Sequence, residues 1–160
     1  MIIAICPGSY DPIHNGHLDI IKRASMLADK VYVVVGINPD KKTLFSIDER
    51  VKMIKKATKK IPNVIVSSNL GLTVDYATKV NASLIIKGYR NDEDLEYELD
   101  MANQNKLLAP RINTMLLKAS KEYENLSSSL IKEEIQKEID VSCYLPTEII
   151  KQVINRIKNS

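Results

Sequence analysis

Pro7-Gly8-Ser9-Tyr10-Asp11-Pro12-Ile13-His14-Asn15-Gly16-His17 is the stretch whose reading decides the fold. An apolar run, Ile2–Cys6, ends against it. Beyond it Leu18, Ile21, Ala24 and Ala28 recur on one face at helical spacing. Strand, irregular turn and helix in that order are the opening unit of an alternating α/β fold. Two prolines and two glycines fix the shape of the turn. Gly16 is read as removing a Cβ where a ligand approaches the backbone, and Asn15 as the helix N-cap. His14 and His17, three apart, project to the same side of the first helical turn.

The alternation continues outward. Lys30–Ile37, Val64–Ser67, Ser83–Lys87 and Thr114–Lys118 are predicted strands, apolar nearly throughout, as befits parallel strands covered on both faces. Ser46 followed by Ile47-Asp48-Glu49 is a capping box that opens a helix to about Lys60. Val74–Val80 and Asp92–Leu108 are two further predicted helices, another starts near Ser127 and runs through Ile135, and Pro146 opens a last amphipathic one. The expected architecture is one domain, residues 1–160, of the α/β class, a doubly wound Rossmann-like fold on a five-stranded parallel sheet. Ligands of such sheets sit at the carboxyl ends of the strands. The chemistry is therefore expected on Pro7–His17, Asn38–Lys42, Ser68–Thr73, Gly88–Asn91 and Lys118–Ser129.

Composition removes several function classes. A net charge of +3 and the absence of Trp argue against a nucleic-acid surface. The longest apolar stretch, Val31–Ile37, is far short of the ~20 residues that span a bilayer, and MIIAIC is too short for a signal peptide. Cys6 and Cys143 match no metal or redox spacing. The expectation is a cytoplasmic protein without structural disulfides. Neither a P-loop nor a G-x-G-x-x-G fingerprint occurs, so phosphate needs another cradle.

The histidine turn offers one. A helix N-terminus attracts phosphate through its free N–H groups and its dipole, and two imidazoles there can donate to phosphate oxygens in a transition state. The alternatives are a pair of surface histidines or half of a metal site. Lys41, Lys87 and Arg90 bring cations to three separate positions at strand ends, whereas Lys42 is expected to be solvated.

Gly16 between His14 and His17 makes H-x-G-H, the signature of the nucleotidylyltransferase superfamily. The order and spacing of PGSYDPIHNGH (7–17), NPDKKTLFSIDER (38–50), IIKGYRNDEDLEYELDMANQN (85–105) and SSSLIKE (127–133) resemble the bacterial phosphopantetheine adenylyltransferase family along essentially the whole chain. The resemblance implies transfer of AMP from ATP to 4′-phosphopantetheine, giving dephospho-coenzyme A and pyrophosphate. It implies that His14, His17, Lys41 and Arg90 are catalytic and that Ser9, Lys41, Thr73 and Lys87 hold the acceptor. Ser9, Tyr10, His17, Gly88, Tyr89, Arg90, Glu98 and the segment Tyr123, Glu124, Asn125, Leu126, Ser127, Ser128, Ser129 would contact ATP. Without the resemblance, Ser127–Ser129 reads equally as a helix cap and Glu98 as a surface charge. Mg²⁺ is expected through the ATP phosphates, with no protein metal ligand. Coenzyme A is an expected feedback inhibitor and the assembly an expected homohexamer. Three departures stand out: Lys87 replaces a customary Arg, Thr73 a more apolar residue, and Glu133–Ile139 lacks an expected arginine. The rival readings are a sister transferase with another phosphate acceptor, such as nicotinate mononucleotide or glycerol 3-phosphate, and a non-catalytic nucleotide sensor.

Overall fold

A computed structural model describes residues 1–160. Five strands, β1 (Ile3–Gly8), β2 (Lys30–Gly36), β3 (Val64–Asn69), β4 (Leu84–Tyr89) and β5 (Asn113–Lys118), form one all-parallel sheet in the order β3-β2-β1-β4-β5. Six helices connect and cover them: α1 (Asn15–Leu27), α2 (Ile47–Ala57), α3 (Thr73–Lys79), α4 (Asp92–Leu108), α5 (Ser128–Gln136) and α6 (Ile150–Lys158). The doubly wound Rossmann-like reading holds. The predicted elements are all present, with shifted ends. β1, β3 and β4 run two residues further than expected, so Pro7-Gly8 and Gly88-Tyr89 belong to strands. α2 stops at Ala57, three residues short of Lys60.

Period-two alternation divides the strand residues between two cores. Ala4, Cys6, Val31, Val33, Val35 and Ile86 face a large cluster completed by α1, α2, α5 and α6. Ile5, Val34 and Ile85 face a small one with Val74 and Ala77 of α3. Helix α4 buries no residue at all, and Tyr97, Leu99, Leu107 and Leu108 stand exposed on it.

The strand order reverses at β1. There the pairing is unequal. β1 stays in register with β2 from Ile3↔Lys30 to Gly8↔Val35, but meets β4 only at Ala4↔Leu84 and Ile5↔Ile85. Past Ile5 the two strands part, and Pro7, without an N–H, has no ladder donor to offer. The fold opens a crevice at the switch point, where doubly wound sheets bind ligands.

Candidate active site

Two adjoining cavities fill the crevice. The larger, about 530 Å³, has β1 and the turn into α1 on one side, β4 and the start of α4 on the other, and the start of α5 above. The smaller, about 260 Å³, lies toward β2, α3 and α4. Pro7, Gly8, Ser9, Lys87 and Glu98 line both. The layout suits two ligands meeting at Ser9 and Lys87.

The histidine turn is closed on itself. His14, not Asn15, is the N-cap of α1. Its Nδ1 accepts from the backbone N–H of Gly16 at 3.1 Å and of His17 at 3.3 Å. His17 returns the contact, its Nδ1 accepting from the His14 N–H at 3.1 Å. The pair is a capping box made of two imidazoles. Asn15 is instead the first helical residue and ties down the chain near the C-terminus: its side chain donates to Cys143 O and its N–H to Tyr144 O. Gly16 has a second task beside the one read from the sequence: a Cβ there would lie 2.9 Å from His14 Cε1, so the glycine makes room for the capping ring, and it also lines the larger cavity. H-x-G-H is thus a structural unit in which the glycine admits the first histidine.

The capping bonds fix the chemistry of both rings. An Nδ1 that accepts an N–H carries no proton, so the neutral ring bears its proton on Nε2. The rings stack with centroids 3.7 Å apart, and Tyr10 lies against His17. Burial foremost, then the neighbouring charge of Arg90, holds His17 down to about 3. Burial, then His17 and Arg90, holds His14 far below the ordinary imidazole range. At neutral pH the turn therefore presents two uncharged Nε2–H donors. Neither ring keeps a free nitrogen lone pair with which to act as a base or a nucleophile.

The cations on the opposite side are engaged differently. Arg90 forks onto Asp94, Nε to Oδ2 at 2.8 Å and Nη2 to Oδ1 at 3.3 Å, and its Nη1 donates to Leu126 O at 3.3 Å. That pairing raises Arg90 and lowers Asp94 from their ordinary values. The guanidinium thereby joins the end of β4 to the segment before α5, at the edge of the larger cavity. Lys87 Nζ stands 2.9 Å from Glu98 Oε2, yet that oxygen is buried without a hydrogen-bond partner. It is a close ion contact with poor hydrogen-bond geometry. Glu98 is therefore a cavity wall and not a surface charge. Lys41 is exposed, lines the larger cavity and enters no ion pair. Lys42 lines neither cavity.

Tyr10, Gly88 and Tyr89 also line the larger cavity, and Thr73 the smaller. Gly88 lets β4 come close to α1, since a Cβ would meet Ile20 Cγ1 at 2.9 Å. The serines divide their tasks. Ser127 is the N-cap, its Oγ accepting from Leu130 N–H at 3.0 Å. Ser128 Oγ donates to Pro12 O at 3.0 Å, docking α5 on the histidine turn. Ser129 is exposed, with no partner for its hydroxyl. The helix N-terminus opens on the cavity with them. Tyr123 and Leu126 are cavity walls, but Glu124 and Asn125 line neither cavity. A single 3-10 turn over Lys121–Tyr123 closes with Glu124 N–H on Lys121 O and carries those two side chains away.

Several wall residues escaped the sequence reading. Beside Glu98, which it named, Asp94, Met101, Ala102 and Asn105 line the cavities from α4. Counted with Glu98, their spacing of four, three, one and three is one face of a helix, a signal that was present. Asp11 was also missed. It is buried and accepts from the N–H groups of Leu44 at 2.7 Å and Phe45 at 2.9 Å, holding the β2–α2 connection to the histidine turn. No group of three or more His, Cys, Asp or Glu side chains is placed to hold a metal ion. No helix is long and apolar enough to cross a membrane.

Comparison with known proteins agrees with this geometry. A family model described as cytidylyltransferase-like matches residues 5–134. The chain is 51% identical to the phosphopantetheine adenylyltransferase of Clostridium novyi over 98% of each chain. It is 49% identical to that of Caldanaerobacter subterraneus subsp. tengcongensis over the full length of both. A bifunctional NMN adenylyltransferase/ADP ribose pyrophosphatase from Francisella tularensis shares the fold, with a TM-score of 0.71 at 16% identity over 99% of this chain and 50% of that one. A crevice of this design at the switch point, on a chain alike from end to end, places the protein in the phosphopantetheine adenylyltransferase family.

Proposed function

We infer that the protein transfers the adenylyl group of ATP to 4′-phosphopantetheine, releasing pyrophosphate and forming dephospho-coenzyme A. The observation that carries the reading is the pair of Nε2–H donors fixed on the wall of the larger cavity, which meets the smaller one at Ser9 and Lys87. ATP occupies the larger cavity, and the pantetheine arm the smaller, along Thr73, Met101, Ala102 and Asn105. The acceptor phosphate lies between them at Ser9 and Lys87. Its oxygen forms a bond to the α-phosphorus as the bond from that phosphorus to the β-phosphate bridging oxygen breaks. A phosphate dianion needs no base, so catalysis is alignment plus stabilisation of charge on the α-phosphoryl oxygens. His17 and His14 supply uncharged donors there, and Lys41, Lys87 and Arg90 supply positive potential.

Mg²⁺ fits the same reading as a companion of the nucleotide. The carboxylates that line the site, Asp94 and Glu98, are engaged by Arg90 and Lys87. The ion would rest on phosphate oxygens and water and neutralise the leaving pyrophosphate. Transfer is direct, because neither histidine keeps a lone pair for attack and burial pushes the Cys6 thiol up to about 12. Exchange of labelled pyrophosphate into ATP without acceptor or product would contradict this. The cytoplasm as location, coenzyme A as feedback inhibitor and a homohexamer belong to the same proposal. The uncovered apolar side chains of α4 favour assembly with further copies of the chain, and sedimentation would show it.

The deciding experiment follows pyrophosphate release with ATP and Mg²⁺. Release is expected with phosphopantetheine and not with pantetheine, nicotinate mononucleotide or glycerol 3-phosphate. Comparable turnover of pantetheine would refute the acceptor assignment.

A further inference from the structure

Arg50 of α2 is among the few charged residues buried in the protein, at 3% exposure. It belongs to none of the salt bridges. A buried charge without a counter-charge is costly to keep, so its surroundings matter. Its guanidinium donates only to backbone carbonyls: Nη1 to Ser9 O at 2.8 Å and to Gly36 O at 3.5 Å, and Nε to Ser46 O at 3.4 Å. Ser9 follows β1 and Gly36 ends β2, and both line the smaller cavity. Arg50 itself lines neither cavity.

The contact with Ser9 sets the direction of a peptide. The only cis bond in the chain is Asp11–Pro12, so the Ser9–Tyr10 peptide is trans and its C=O and N–H point to opposite sides. With the carbonyl held toward Arg50, the Tyr10 N–H is turned the other way, and it donates to no backbone acceptor. Tyr10 also sits at φ 47, a left-handed conformation that a bulky residue rarely adopts. Its ring is anchored separately, through the hydroxyl to Cys6 O at 3.0 Å. The backbone at the mouth of the anion site is thus held in an unfavourable conformation by a buried cation and a buried ring.

We propose that Arg50 is a positioning residue for the phosphate site: it holds the Ser9–Tyr10 peptide with its N–H toward the substrate phosphates, and their negative charge supplies the counter-charge that the protein withholds. The rival role is a passive clamp of three carbonyls that ties β1 and β2 to α2. The two differ in what they do to ligands. A clamp affects every ligand of the site alike, whereas the proposed role acts on phosphate-bearing ligands alone. The proposal rests on the adenylyl-transfer reading, but one of its probes, pyrophosphate, is released by any nucleotidyl transfer from ATP.

The test compares the full-length protein with Arg50→Met and Arg50→Lys, using calorimetric Kd values for pyrophosphate and pantetheine and KM and kcat with phosphopantetheine. In Arg50→Met, Kd for pyrophosphate and KM for phosphopantetheine should each rise by about tenfold or more, on the scale of one charge-assisted hydrogen bond. Kd for pantetheine should change by less than about twofold, and Arg50→Lys should recover part of the phosphate affinity. Unchanged pyrophosphate binding in folded Arg50→Met, or equal weakening of pyrophosphate and pantetheine, overturns the proposal. If Arg50→Met does not fold, Arg50→Lys decides by the same comparison: selective weakening of phosphate-bearing ligands supports it, and uniform or absent weakening overturns it. Failure of the parent protein to use phosphopantetheine would refute the acceptor reading and leave the pyrophosphate comparison intact.

Discussion

On the β1 side of the crevice, His14 and His17 have each Nδ1 bonded to backbone N–H groups, and their rings are stacked. On the β4 side, Lys87 faces Glu98 at 2.9 Å without a proper hydrogen bond. The first arrangement is complete before any ligand arrives, and the second is a contact that a phosphate can replace. In the proposed reaction, transition-state stabilisation calls for donors that need no reorganisation when charge develops, and the closed imidazole box would provide them. Acceptor binding would tolerate an exchange of partners, because a phosphate would offer Lys87 more charge and better geometry than the carboxylate. On that proposal the difference separates a rigid catalytic pair from an exchangeable binding contact.

The comparison breaks most visibly at His17. His17→Ala should lower kcat by about 10²-fold or more with little change in KM for ATP, since it removes a donor aimed at developing charge. A large rise in KM with kcat intact would move His17 to the binding side. Gly16→Ala comes next. Its Cβ would strike the His14 ring at 2.9 Å and displace the cap. Stability should fall by about 1 kcal/mol, and kcat should fall although no group that touches substrate has been removed. A melting curve and kcat equal to the parent's would show that the box tolerates a side chain.

The smallest effects belong to the exchangeable side. Lys87→Ala should lose at least ~1 kcal/mol in kcat/KM for the acceptor, and Lys87→Arg should be near neutral because the charge is kept. Glu98→Gln removes the competitor for Lys87 and should lower KM for phosphopantetheine. A raised KM in Glu98→Gln would mean that the carboxylate orients Lys87 rather than competing with the phosphate.

The sheet and its helices were legible because buried parallel strands read as continuous apolar runs and the helices carry periodic faces. The strand ends were less so. Pro7-Gly8 and Gly88-Tyr89 carry turn residues yet are paired with a neighbour on one side only, a condition local sequence does not express. The histidine turn was recognised, but its internal hydrogen bonds were not, since His is an uncommon N-cap and Asn15 beside it is a common one. Asp11 and Arg50 were out of reach for a different reason. The contacts that matter, Asp11 with Leu44 and Arg50 with Ser9, span 33 and 41 residues of sequence, and only the folded chain brings those groups together. Apart from Glu98, the α4 stripe was legible and went unread, because a helix without buried residues gives no core face from which to orient it.

The uncharged state of the histidine pair is the claim on which the catalytic side depends. A histidine whose folded value lies below its unfolded one stays neutral above it, and unfolding takes up a proton once the pH falls below the ordinary imidazole value. The stability that goes with the neutral His17 ring is therefore complete above about pH 6.5 and is lost as the pH falls toward 3. The most direct measurement is a ¹⁵N-resolved NMR titration of the imidazole nitrogens of His14 and His17 from pH 8 to pH 4. Both rings should show the Nε2–H tautomer throughout, with no midpoint in that range. Protonation of either ring with a midpoint near 6.5, or a proton resting on Nδ1, would contradict the capping geometry and the assignment of His14 and His17 as uncharged donors to the transferring phosphoryl group.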